Sequence, residues 1–178
     1  MRRYCGRSTL LIALLALVSC ASQPIDADAI TDPALSAIRD QFRIVVADTL
    51  ADPRTRWVAG WSGNSQVEDC PDGSVKGLCW QWQELVFARM QPTVHRVGWE
   101  LVRININRDI FSEHNAVVVF NPLTIDRERL LSSDDPRAWV LDAWMHGAPD
   151  IYRLGDWVDL PWIVFEPAAL EIPAERKP

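Results

Sequence analysis

Residues 116–119, AVVV, are four consecutive apolar residues, three of them β-branched, within the stretch SEHNAVVVFNP at 112–122. The run is too short for a helix and has the composition of a fully buried strand. Such a strand constrains the rest of the chain, because other elements must pack around it. Its mouth carries a titratable ring: His114 and Asn115 stand directly before the apolar run. Either His114 is a strand-edge residue bonded to nearby backbone, or the strand holds it rigidly for chemistry.

The chain N-terminal to this strand has helical patterning. Thr31-Asp32-Pro33 offers a helix start, with Asp32 as N-cap and Pro33 at the first helical position. Leu35, Ile38, Phe42, Val45 and Val46 then recur at helical spacing, and ADPR closes the helix near Ala51. Residues 60–78 are rich in Gly, Ser, Asn and Asp and read as loop. A second helix is expected over 78–91, stopped by Pro92, with Cys79, Trp82, Val86 and Met90 along one face. Cys79 then lies at the first turn, on the side of the buried stripe.

The C-terminal half is strand-like. Residues 94–106 have strand character, with alternation in WELVRINI from Trp99. A loop at 107–114 leads to the opening strand, and a polar stretch at 121–137 comes after it. AWVLDAW at 138–144 and LPWIVFE at 160–166 supply the remaining strands. Helices and then strands predict an α+β fold, with N-terminal helices packed on an antiparallel sheet of three or four strands.

The N-terminus is a targeting segment. Arg2, Arg3 and Arg7 precede nine consecutive apolar residues at 10–18, well short of the ~20 needed to span a bilayer. The segment ends in LVSC at 17–20, which resembles the lipobox of bacterial lipoproteins. That resemblance implies a signal peptide at 1–19, cleavage before Cys20 and acylation of Cys20 by fatty chains such as palmitate. Several chains on one cysteine anchor stably where one would not. Ala21, rather than an aspartate, comes after the cysteine, which favours the outer membrane, facing the periplasm. The alternative is an ordinary secretory signal cut nearby. Residues 20–31, small and polar, read as a tether, and 32–178 as a single domain. Removing three arginines takes the formal charge from −6 to −9, and an acidic surface argues against nucleic acid as a partner.

Cys79 at a helix start, His114 at a strand entrance and Asp142 in or beside the next strand form a chemically meaningful order. A helix N-terminus stabilises a thiolate. An imidazole can take the thiol proton and return it to a leaving group, and a carboxylate on its other nitrogen fixes the tautomer. This arrangement, with GLCWQWQ, HNAVVV and LDAW, resembles the transglutaminase-like branch of the papain-like cysteine fold over roughly residues 60–165. The resemblance implies a Cys79-His114-Asp142 triad without metal or organic cofactor, and amide hydrolysis, deamidation or acyl transfer through a thioester. Trp80 and Trp144 would wall the cleft. GLCWQWQ lacks the DCSG of cell-wall endopeptidases of the NlpC/P60 type. Asn121 and Asn115 are alternatives to Asp142, and the backbone amide of Cys79 or the side chain of Gln66 is a candidate oxyanion donor.

Each residue also has a plainer use. Besides Cys20, the mature chain has only Cys70 and Cys79, and outside the cytoplasm such a pair is commonly a disulfide. Asp142 is also readable as a solvated or turn-bonded carboxylate, and His95 and His146 as surface or loop residues. HGAPDIYRLGD at 146–156 matches no zinc spacing, and DRERL at 126–130 reads as a solvated face. Nine tryptophans suit a dense core or an apolar cleft. Two functions therefore stand open. One is a lipid-anchored periplasmic thiol enzyme acting on amide bonds of envelope protein or peptidoglycan peptide. The other is a non-catalytic envelope lipoprotein, a binding module with a structural Cys70–Cys79 disulfide.

Overall fold

The computed structural model of the chain describes residues 23–108, 113–131, 137–160 and 170–171. The expected signal peptide at 1–19, Cys20 and residues 161–166 of the expected last strand lie outside them. The fold is α+β: helices α1 (Pro33–Leu50), α2 (Gly60–Glu68), α3 (Cys79–Arg96) and α4 (Leu154–Val158) accompany seven strands among the described residues. Strands β3 (Glu100–Ile106), β4 (His114–Phe120), β5 (Ala138–Asp142), β6 (Asp150–Arg153) and β7 (Leu170–Glu171) form one sheet in the order β6-β5-β4-β3-β7, antiparallel throughout. Short β1 (Arg56–Trp57) and β2 (Val75–Lys76) pair in parallel beside it.

The apolar run of β4 is buried on both faces because two cores meet there. Val117 and Val119 face α1 and α3, packing with Phe42, Trp82, Val86 and Met90. Ala116, Val118 and Phe120 face Leu130, Tyr152, Leu154 and Trp157 on the other side. Helix α1 starts as the sequence predicts: the Asp32 carboxylate accepts from the Leu35 amide at 2.8 Å.

Four expectations change. Residues 60–78 are not loop: α2 forms there although its composition disfavours it, because it is held from outside. The Gly60 amide donates to the Trp144 carbonyl at 2.7 Å, and Asn64 Oδ1 accepts from Trp144 Nε1 at 3.2 Å. Pro92 does not stop α3, which runs on to Arg96, so Val94 is helical rather than the start of a strand. An interior proline costs about 3 kcal/mol, and the burial of Thr93 and Val94 just beyond it offsets that cost. The sheet has five strands rather than three or four, because the segment HGAPDIYRLGD supplies β6, leading into α4, and Leu170–Glu171 supply β7. Finally, the expected tether is part of the domain from Ile25. The Ile25 amide donates to the Ile151 carbonyl at 2.8 Å, and Ile25 and Ile30 pack against the core. Apolar side chains at those two positions make docking favourable where a polar linker would stay solvated.

Among the described residues no helix is long and apolar enough to cross a membrane.

Candidate functional site

Because β4 and β5 are antiparallel, the start of β4 and the end of β5 lie at the same end of the sheet. The N-terminus of α3 arrives there too. Its start is shaped by Gly77, whose φ of +148° and close approach to Val58 exclude a side chain: a Cβ would sit 2.2 Å from the Val58 carbonyl oxygen. Gln81 Oε1 accepts from the Gly77 amide at 2.7 Å and the Leu78 amide at 3.1 Å. This reproduces half of a capping box, since Leu78 offers no side-chain acceptor. Cys79 comes next as the first helical residue, partly buried.

The structure brings Cys79, His114 and Asp142 together. His114 and Asp142 are each 1% exposed, and His114 Nε2 lies 2.7 Å from Asp142 Oδ2. With Nε2 engaged by the carboxylate, Nδ1 is the nitrogen available to Cys79, whose side chain interacts with the ring. Burial alone would lower the pKa of His114. The Asp142 charge and hydrogen bond, helped by Cys79, prevail and raise it to about 9. Burial likewise pushes Asp142 up, but the His114 charge and hydrogen bond, with donors from Trp157 and Met145, hold it below the usual carboxylate range.

Asp142 is not solvated, at 1% exposed, but is bonded both to a turn and to His114. Oδ1 accepts from the backbone amides of Trp144 at 3.0 Å and Met145 at 3.2 Å, the bonding of an Asx turn. Oδ2 accepts from Trp157 Nε1 at 2.9 Å in addition to facing His114. One carboxylate thus terminates β5 and orients the imidazole. Trp157, on α4, was not apparent from the sequence: its only signal was an aromatic residue just after the aspartates of HGAPDIYRLGD. Its ring also packs on His114, with centroids 5.4 Å apart.

The two tryptophans expected to wall a cleft divide. Trp144 is 1% exposed and lies against His114 at 4.6 Å, so it is an internal support for the imidazole rather than a cleft wall. It turns inward because its backbone amide is tied to Asp142. Trp61, 45% exposed on α2, meets the edge of Trp144 at 5.3 Å. Trp80 is 39% exposed and lines a groove of about 280 Å³ with Trp57, Lys76, Gln81, Glu84 and Leu85.

The remaining candidates take up other positions. Cys70 and Cys79 are both free thiols, so the disulfide is not formed here. Asn115 meets the sulfur, not the imidazole: its Nδ2 donates to Cys79 Sγ at 3.2 Å and to Glu113 Oε1 at 3.1 Å. Asn121 accepts from the Leu123 amide in a turn. Gln66 bonds to Arg56 and to the Ser62 carbonyl on the surface, which removes it as an oxyanion donor. His146 is exposed and pairs with Asp150 at 2.5 Å. Among the described residues no group of three or more His, Cys, Asp or Glu side chains is placed to hold a metal ion.

Comparison with known proteins gives no relative: no family model, no curated protein and no solved structure matches the chain.

Proposed function

We propose that the chain is a thiol enzyme with a transglutaminase-like, papain-like core. It acts on amide bonds of envelope protein or peptidoglycan peptide while anchored through an acylated Cys20 to the outer membrane, facing the periplasm. The observation that carries the chemistry is the order of contacts at one end of the sheet. A cysteine at the N-terminus of α3 interacts with an imidazole whose Nε2 is held 2.7 Å from a buried carboxylate. The anchor rests on the sequence of residues 1–20.

In this reading Cys79 Sγ passes its proton to His114 Nδ1 and attacks the substrate carbonyl carbon, and the carbonyl π electrons move to oxygen. Collapse of the tetrahedral adduct breaks the C–N bond, and His114 Nδ1 gives its proton to the departing amine. His114 Nε2 keeps its hydrogen toward Asp142 throughout, so the carboxylate orients the ring without taking a proton. Water or an amine then attacks the thioester with His114 as base, giving hydrolysis or transfer. No step draws on a cofactor.

The test uses a soluble form beginning at Ala21 and p-nitrophenyl acetate as an acyl donor. The wild type is expected to acquire one acetyl group on Cys79 and to release p-nitrophenol, and Cys79→Ala to do neither. Unchanged turnover in Cys79→Ala would refute the reading. The groove bearing Trp57 and Trp80 supports the second reading, a binding module, which would retain ligand binding in Cys79→Ala with no turnover in either protein.

A further inference from the structure

Attack on a carbonyl needs a donor for the oxygen that becomes negative, and the environment of Cys79 Sγ contains one built for it. Asn115 is 4% exposed on β4, the residue after His114, with its side chain on the α3 side of the sheet. Its amide nitrogen makes two contacts, 3.2 Å to Cys79 Sγ and 3.1 Å to Glu113 Oε1. An ionised carboxylate only accepts hydrogen bonds, so the contact with Glu113 fixes which end of the amide faces the sulfur: it is the NH2. One hydrogen serves Glu113 and the other points at the nucleophile. The group is a neutral donor, oriented before substrate arrives, on a rigid strand.

We infer that Asn115 is the oxyanion-binding residue of the site, its Nδ2–H passing from the Cys79 sulfur to the substrate oxygen as the tetrahedral adduct forms. The transfer is geometrically short. In the adduct the oxyanion sits on the carbon newly bonded to sulfur, so a donor at the sulfur reaches that oxygen when the carbonyl is presented with its oxygen toward Asn115. As the C–S bond forms, sulfur loses negative charge and oxygen gains it, so the donor moves with the charge. A donor aimed where charge develops acts in the transition state rather than in the ground state. The backbone amide of Cys79, at the first helical position where no intrahelical acceptor exists, supplies a second donor.

This inference rests on Cys79 being the nucleophile, and the experiment separates the two. Two reagents are compared on the same soluble protein. Iodoacetamide alkylates the sulfur by displacement at a saturated carbon, with no oxyanion, whereas p-nitrophenyl acetate acylates it through one. In Asn115→Ala, acylation of Cys79 is expected to fall about 100-fold or more, while alkylation changes by less than about threefold. Asn115→Leu, close to asparagine in size, covers the case in which the alanine variant does not fold. Equal losses with both reagents would overturn the assignment, making Asn115 a support of the thiolate only. Unchanged acylation would overturn it as well. If the wild type is not acylated at Cys79 at all, the enzyme reading fails first, and with it the role of Asn115.

Discussion

His114 and Asp142 form a buried pair whose charge state decides both its stability and its use. His114 has its pKa raised from 6.5 to about 9. The stability it contributes is complete below about pH 6.5 and is lost as pH rises through about 9. Asp142 is depressed, so its contribution is present above about pH 4 and is lost as pH falls through its lowered folded value. Between these limits the pair is an imidazolium beside a carboxylate. Asp142→Asn removes the charge that overcomes burial, so His114 is expected to titrate at or below 6.5 instead of near 9, as read by NMR of its ring protons. A value still near 9 would mean that another group holds the proton. The variant should also be less stable by about 3 kcal/mol at pH 7, because the ion pair that holds the imidazole protonated well above its ordinary value is gone. Denaturant unfolding at pH 7 measures this.

At the level of elements, legibility tracked burial. Helices α1 and α3 and strands β4 and β5 each carry an apolar pattern that matches their packing, so residue order alone located them. The placement of the candidate residues was readable to the same extent: Cys79, His114 and Asp142 stand at ends of those elements, and element order brings the ends together. What stayed hidden depends on contacts between segments distant in sequence. Helix α2 buries only Gly63 and is organised by Trp144, 80 residues from Asn64. The donors from Trp157 and Asn115 needed the three-dimensional register of α4 and β4. The passage of α3 through Pro92 needed the core beyond it. Gly77 is a further case: its composition reads as loop, yet it sets where α3 begins. Gly77→Ala places a Cβ 2.2 Å from the Val58 oxygen and must displace either Val58 or the α3 start. A loss of about 2 kcal/mol or more is expected in denaturant unfolding, together with slower acylation of Cys79. A variant as stable and as reactive as the wild type would show that the α3 start is set by Gln81 capping alone.

For the whole molecule, the N-terminal segment decides where the domain begins. With Ile25 hydrogen-bonded to Ile151 and Ile30 packed on the core, a protein starting at Asp32 lacks part of its own surface cover. It is expected to be roughly 2–3 kcal/mol less stable than one starting at Ala21, from the apolar area of two half-buried isoleucines. Equal unfolding midpoints would make the docked segment dispensable. Arg39 reinforces the expectation, donating to the Ala27 carbonyl at 2.8 Å from α1.

That docked segment also sets a radius of action. Cys20 stands five residues before Ile25, a span of at most about 18 Å when fully extended. Ile25 is fastened to Ile151, which pairs with Leu141, the residue beside Asp142. Strands are spaced about 4.8 Å apart, so the candidate site lies only two or three strand widths from the fastening point. If Cys20 carries the lipid and Cys79 is the nucleophile, the Cys79 sulfur patrols a shell on the order of 30 Å deep above the bilayer. Substrates would have to come to the membrane surface, and two such molecules would meet by lateral diffusion in a plane rather than through the volume of the compartment.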